Sequence, residues 1–145
     1  MAIYEELLEK WHLYRDHRYK VLVIIKAPLD TLFPTSMIEE FAAIANARVV
    51  NFQEKYKGRL NEFFIWQDLR NEMYEMANKQ STVATDLEPI YTKWPVDERL
   101  AFLKNILQSE PKYPLVLLLN CQEELSSLQE IEENSRGLIW APSKW

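Results

Sequence analysis

The chain has 145 residues, of which 48% are apolar and five are tryptophan, and its formal net charge is −5. This size and apolar content predict one packed domain spanning residues 1–145, and the negative charge argues against a general nucleic-acid-binding protein. A single cysteine, Cys121, excludes an internal disulfide and a cysteine-based zinc site. The chain has only two glycines, and this scarcity disfavours sites built on close backbone contact with a ligand.

The sequence shows no sign of a membrane segment or a secretory signal. Its longest purely apolar runs, such as Val21–Ile25, are far shorter than the roughly 20 residues that cross a bilayer. The N-terminus, MAIYEELLEKW, is acidic and amphipathic, unlike a signal peptide. A cytoplasmic location without membrane contact is therefore expected.

Helical and strand patterns alternate along the chain. Apolar spacing, a capping-box signature at Ser36 and Glu39, and runs of β-branched residues define the predicted elements. These are a helix at 2–17, strands at 19–27 and 48–52, a helix at 36–47, a helical pattern at 60–79, a polar connection at 80–94, a helix from 95 to 107, a strand at 115–120, a helix at 122–133 and a last strand at 136–141. The N-terminal part of the 60–79 pattern, 63-FFIW-66, has a local apolar turn as its alternative. The alternation predicts an α/β fold of three layers, with a mainly parallel sheet of three to five strands flanked by helices, like a P-loop or Rossmann protein.

The segment 21-VLVIIKAPLDTLFPTS-36 has the strand–loop–helix order in which many α/β proteins hold phosphate. A phosphate-binding loop needs glycines, which turn backbone N–H groups inward, and a lysine, which neutralises charge. This loop has prolines instead, and the apolar strand 115–119 ends in Asn120 rather than in a metal-binding acid. ATP hydrolysis and a bound cofactor are therefore not expected. Thr35, Ser36 and Asn120 are the candidate residues for nucleotide binding without hydrolysis.

Catalytic patterns of other kinds are also missing from the sequence. No serine lies in a G-x-S-x-G motif, and the two histidines, five residues apart, lack the spacing of a helical metal pair. Asp30, Glu123 and Glu124, with Glu54, follow predicted strands and are candidates for a magnesium site of the nuclease or phosphatase type. A solvated acidic surface is the favoured interpretation of these carboxylates.

Two groups of residues are candidates for contact with other macromolecules. The segment 15-RDHRYK-20 brings together Arg15, Arg18 and Lys20, which could contact nucleic acid, although cations at a helix end explain the same pattern. Tryptophan is enriched at interface hot spots, so the ending IWAPSKW suggests partner binding through Trp140 and Trp145. Packing of these rings on their own domain is an equal alternative. The apolar loop residues Leu32 and Phe33 could add to a partner surface.

The order of these elements resembles the short P-loop-type accessory protein of bacteriophage-exclusion (BREX) defence systems. The segments that carry the resemblance are the second strand, 47-ARVVNF-52, and the ending 134-NSRGLIWAPS-143. This resemblance implies a place in a multi-protein antiphage complex. A second small protein of the same defence systems, which acts as a structural bridge without a nucleotide, would also account for the pattern. In this chain the loop 27-APLDTLFPTS-36 replaces the glycine–lysine loop of the family. The resemblance therefore implies a pseudo-NTPase, and no catalytic residue of the family has a counterpart in this sequence.

These observations favour a non-catalytic subunit that binds other proteins of a defence complex. One alternative is a magnesium-dependent nuclease or phosphatase that uses Asp30 with Glu123 or Glu124. Another is a nucleotide sensor that binds through Thr35 and Ser36 without hydrolysis.

Overall fold

A computed structural model describes residues 3–25, 35–62, 64–119 and 137–140. The elements, in chain order, are α1 (Ile3–Tyr14), β1 (Val21–Ile25), α2 (Thr35–Ala45), β2 (Arg48–Asn51), α3 (Phe52–Lys55), α4 (Trp66–Ala77), β3 (Thr82–Thr85), α5 (Glu88–Tyr91), α6 (Val96–Leu107), β4 (Leu115–Leu119) and β5 (Leu138–Trp140). None of these helices combines the length and the apolar character needed to span a membrane.

The strands of this described part form one sheet in the order β2-β3-β4-β1-β5. All four neighbouring pairs are parallel, and β1 lies between β4 and β5. Both central strands, β1 and β4, are buried along their whole length. Strands covered on both faces have no solvent side, which explains their continuous apolar runs. The predicted α/β fold with a parallel sheet is confirmed.

Helices cover both faces of the sheet and divide the core in two. Alternate residues of β1 point to opposite faces, so Leu22 and Ile24 pack with Leu7 and Trp11 of α1 and with Phe41 of α2. The other face of the sheet packs against the helices between β2 and β4. The buried side chains on that face include Val23, Met73, Tyr91, Phe102 and Leu103. The result is a three-layer molecule with α1 and α2 on one face and α3 to α6 on the other.

The prediction of a polar connection at 80–94 is wrong, because this segment contains the strand β3 and the short helix α5. All four residues of 82-TVAT-85 are buried. Three of them are β-branched, a type that fits a pleated surface. The strand is too short and too rich in threonine to show an apolar run in the sequence. Its pairing with β2 and β4 supplies the stability that the local pattern does not indicate.

The ends of α2 differ from the prediction by one or two residues. The helix begins at Thr35, so Ser36 lies inside its first turn rather than capping it. It ends at Ala45 because Asn46 adopts a left-handed conformation with φ of 52°. The Ala47 N–H then donates to the Ala42 carbonyl at 2.9 Å, and the Asn46 N–H donates to the Ala43 carbonyl at 3.3 Å. Together these bonds form the Schellman motif that terminates many helices.

Two other predicted helices are shorter in the structure. Helix α1 ends at Tyr14 rather than at residue 17. Helix α4 begins at Trp66 rather than at residue 60, since a turn precedes it in which the Glu62 N–H donates to the Arg59 carbonyl at 3.0 Å. Helix α6 starts at Val96, with Pro95 just before it, close to the predicted start. The helix predicted at 122–133 lies outside the described residues.

Candidate functional site

The reversal of strand order marks the place where a ligand site is expected in this sheet. From β1 the chain crosses to β2 at the far edge, returns through β3 to β4, and reappears in β5 on the other side of β1. In open parallel sheets, ligands bind beyond the carboxyl ends of the strands at such a reversal. Here the reversal lies between β1 and β4, which end at Ile25 and Leu119 and pair in register there.

Most of the predicted site residues lie in segments that the structure does not describe. These are Asp30, Leu32, Phe33, Asn120, Glu123, Glu124 and Trp145. Their roles stay predictions. The sheet nevertheless fixes where their segments begin, because residue 26 follows β1 and residue 120 follows β4. The two candidate hydroxyl residues, Thr35 and Ser36, lie in the first turn of α2, and the Ser36 side chain is exposed.

A carboxylate that the sequence analysis missed lies at the same edge of the sheet. Asp86 follows β3, the neighbour of β4, and has a left-handed φ of 55°. The Thr85 hydroxyl donates a hydrogen bond to Asp86 Oδ2 at 3.0 Å. The signal for this residue is a β-branched run ending in aspartate, 82-TVATD-86. The sequence analysis missed it because the strand itself was not predicted.

The carboxylates in the described residues do not form a metal cluster. No three His, Cys, Asp or Glu side chains there come together in a group that could hold a metal ion. Glu54, the fourth candidate of the predicted magnesium site, is exposed on α3 at the outer edge of the sheet. Its backbone N–H donates to the Asn51 side chain at 3.0 Å, which caps this short helix.

The cations predicted as a nucleic-acid patch lie at the opposite, amino-terminal edge of the sheet. Arg15 Nε lies 3.5 Å from Asp16 Oδ2, and Arg18 Nη2 lies 3.1 Å from Glu110 Oε1. The hydrogen bond with Glu110 and its negative charge raise the pKa of Arg18. Lys20 immediately precedes β1. Because carboxylates accompany two of the three cations, the field of this segment is weaker than its sequence suggests.

Trp140 packs on its own domain and also keeps part of its surface open. It lies on β5, opposite Ile24 in the register of β1, and its half-buried ring adjoins the core beneath α1 and α2. The Nζ atom of Lys10 on α1 lies 5.5 Å from the ring centroid, within the range of a cation–π interaction. The two alternatives that the sequence left open for Trp140, packing on its own domain and partner binding, are therefore compatible.

Comparison with known proteins adds no family assignment, since no protein-family model and no curated protein matches this chain.

Proposed function

We propose that this protein is a non-catalytic interaction subunit of a bacterial antiphage defence complex, related in shape to P-loop NTPases but without a working phosphate-binding loop. The observation that carries the proposal is the composition of residues 27–36, which follow β1 in the sequence. This segment contains two prolines and an aspartate but neither glycine nor lysine. Prolines donate no backbone N–H, and a carboxylate repels phosphate. The proposed role in defence rests on the resemblance of 134-NSRGLIWAPS-143 to the short accessory protein of bacteriophage-exclusion systems.

A partner surface near the carboxyl end of β5 is consistent with this function. Trp140 lies on an edge strand, where a half-buried aromatic ring offers contact area that is already held in place by its own domain. A ring that is ordered before binding loses little entropy in the complex. Leu32, Phe33 and Trp145 stay predicted partner contacts, and they lie outside the described residues.

Co-purification with the proteins encoded beside its gene tests the proposed function. We expect a stoichiometric complex, and neighbouring genes for a large ATPase, a methyltransferase and a phosphatase-like protein. The Trp140→Ala variant should bind about tenfold more weakly while keeping the wild-type circular dichroism spectrum. Trp66→Ala is the matched control, because Trp66 is a half-buried ring that packs on the other face of the sheet. Failure of the neighbouring proteins to bind the wild-type chain would contradict the proposal.

Asp86 gives a specific reason to consider a metal- or nucleotide-binding protein as the second candidate. It is a carboxylate at the carboxyl edge, one strand away from the reversal, and carboxylate oxygens are ligands that Mg²⁺ prefers. Its left-handed backbone stores strain of a kind that is common at functional sites.

Thermal unfolding with and without Mg²⁺, ATP and GTP separates the two candidates. A ligand at one hundred times its Kd would stabilise the folded state by about 2.7 kcal/mol. For the proposed non-catalytic subunit we expect no rise in Tm with any of these additions. Asp86→Asn is the sharpest variant, since asparagine tolerates the left-handed conformation. A rise in wild-type Tm that this variant abolishes would favour the second candidate.

A further inference from the structure

The outer edge of the sheet at β2 borders a charged groove. The groove has a volume of about 490 Å³ and lies between β2 and α4. Its lining residues are Arg48, Lys55, Glu72, Glu75, Met76, Lys79 and Gln80. It is far from the reversal of strand order and from Trp140, because β2 and β5 form opposite edges of the sheet.

One wall of the groove is neutralised within the protein. Lys55 Nζ lies 2.5 Å from Glu72 Oε1, and the Tyr56 hydroxyl donates a hydrogen bond to the other carboxylate oxygen of Glu72. The remaining charged groups are the cations of Arg48 and Lys79 and the carboxylate of Glu75. No ion pair joins these three to any described residue. With Lys55 paired to Glu72, the cations Arg48 and Lys79 outweigh Glu75, and the groove carries one net positive charge beside β2.

The backbone of β2 is oriented to accept another strand. The Arg48 N–H donates to the Ser81 carbonyl of the β3 side at 2.8 Å. In a parallel ladder, alternate residues bond to the same neighbour, so the N–H and C=O of Val49 point away from β3. Within the described residues, β2 pairs only with β3. The exposed edge carries a donor and an acceptor at Val49.

The two faces of this edge differ in chemistry. Val50 is buried beneath α3 to α6, so Arg48 points to the same side, towards the groove. Val49 points to the opposite side and is 41% exposed. Ile44, 52% exposed, lies near the end of α2, the helix that packs against β2. A strand added here would have one face beside cations and the other beside apolar side chains.

We propose that the outer edge of β2 binds an extended segment of a partner protein by strand addition. Acidic side chains of that segment lie in the groove near Arg48 and Lys79, and alternate apolar side chains contact Val49. Main-chain hydrogen bonds provide affinity in this mode of recognition, and alternate side chains provide specificity. The partner is thus a segment in which acidic and apolar residues alternate. This surface is independent of the proposed role of Trp140.

A synthetic peptide tests the proposal on the full chain. The probe is an acetylated ten-residue peptide in which glutamate alternates with valine, titrated to about 1 mM into ¹⁵N-labelled protein. We expect saturable amide shifts in residues 48–51 and 75–80. Lys79→Glu should weaken binding about three- to tenfold, and added salt should weaken it as well. A peptide with lysine in place of glutamate should not bind.

Two variants make the test specific to the edge. Val49→Pro removes the outward N–H and keeps the ladder to β3, so it should abolish binding in a folded protein. Lys104→Glu, an exposed charge reversal on α6, should bind the peptide as the wild type does. If Val49→Pro does not fold, the wild-type amide shifts at residues 48–51 test the edge, and Lys79→Glu tests the charge of the groove.

Three outcomes would overturn the proposal. The first is the absence of shifts at 48–51, and the second is equal binding of the glutamate and lysine peptides. The third is a dimer in sedimentation equilibrium that Val49→Pro dissociates, since the edge would then pair with a second copy of the chain. None of these results would affect the co-purification test of Trp140.

Discussion

At the scale of single residues, a buried phenol connects two helices on one side of the molecule. The ring of Tyr56, which follows α3, is 8% exposed and packs edge-on to Phe64, with ring centroids 4.9 Å apart. Its hydroxyl donates a hydrogen bond to Glu72 on α4. Burial, and after it the hydrogen bond to Glu72, raises the pKa of Tyr56 well above its usual value. The folded protein therefore retains this proton where the unfolded chain releases it.

We expect this group to make the protein less stable in alkaline solution. A raised pKa contributes stability that is fully present below the unfolded value of about 10 and is lost as the pH rises above it. The free energy of unfolding should fall by at most about 1.4 kcal/mol per pH unit from this group. Tyr56→Phe should reduce that slope, and at neutral pH it should cost about 1 kcal/mol for the lost hydrogen bond.

Urea denaturation between pH 7 and 11 measures both effects. Tyr113→Phe serves as the control, because Tyr113 is an exposed ring. Parallel losses of stability in the wild type and Tyr56→Phe above pH 10 would show that Tyr56 is not the titrating group.

At the scale of elements, the three-residue strand β5 depends on a close contact with α6. The N–H of Gly137, which precedes β5, donates to the Leu107 carbonyl at 2.9 Å. A Cβ atom at this position would lie 2.7 Å from Leu107 Cδ2 and 2.9 Å from the Val21 carbonyl oxygen. Both distances are shorter than real Cβ contacts, and a backbone oxygen in a central strand cannot move aside easily. Glycine therefore allows β5 to approach β1 and the end of α6.

The Gly137→Ala variant should lower the free energy of unfolding by about 2–3 kcal/mol through this steric conflict. Gly58→Ala is the matched control. Gly58 is exposed with φ of 86°, and a Cβ atom added there would meet no atom within 4 Å, so only backbone strain of about 1 kcal/mol is expected. Urea denaturation of both variants checks the order of stability. A Gly137→Ala protein as stable as Gly58→Ala would contradict the packing role.

At the scale of the whole molecule, the sheet separates surfaces of different character. The reversal of strand order lies at the carboxyl edge between β1 and β4, whereas Arg15, Arg18 and Lys20 lie at the amino-terminal edge. The two lateral edges carry Trp140 on β5 and the charged groove beside β2. The two proposed contact surfaces therefore lie at opposite lateral edges of the sheet.

Local patterns in the sequence are enough to predict the layers and the central strands of this protein. The runs at 21–25 and 115–119 are apolar without interruption because helices cover both faces of the sheet there, and such runs can be read from local pattern alone. The missing glycines and lysine at 27–36 are likewise a property of the sequence, and they carry the proposed function.

Long-range packing sets the strand order, the strand β3 and the surfaces at the two edges. Strand pairing joins residues far apart in the chain, so no local pattern records that β1 lies between β4 and β5. The four residues of β3 form a strand because β2 and β4 pair with them on both sides. Asp86 lies at the carboxyl edge because it follows this strand. Arg48 and Lys79 line one groove because β2 and α4 pack side by side. Their proximity is a long-range result of folding.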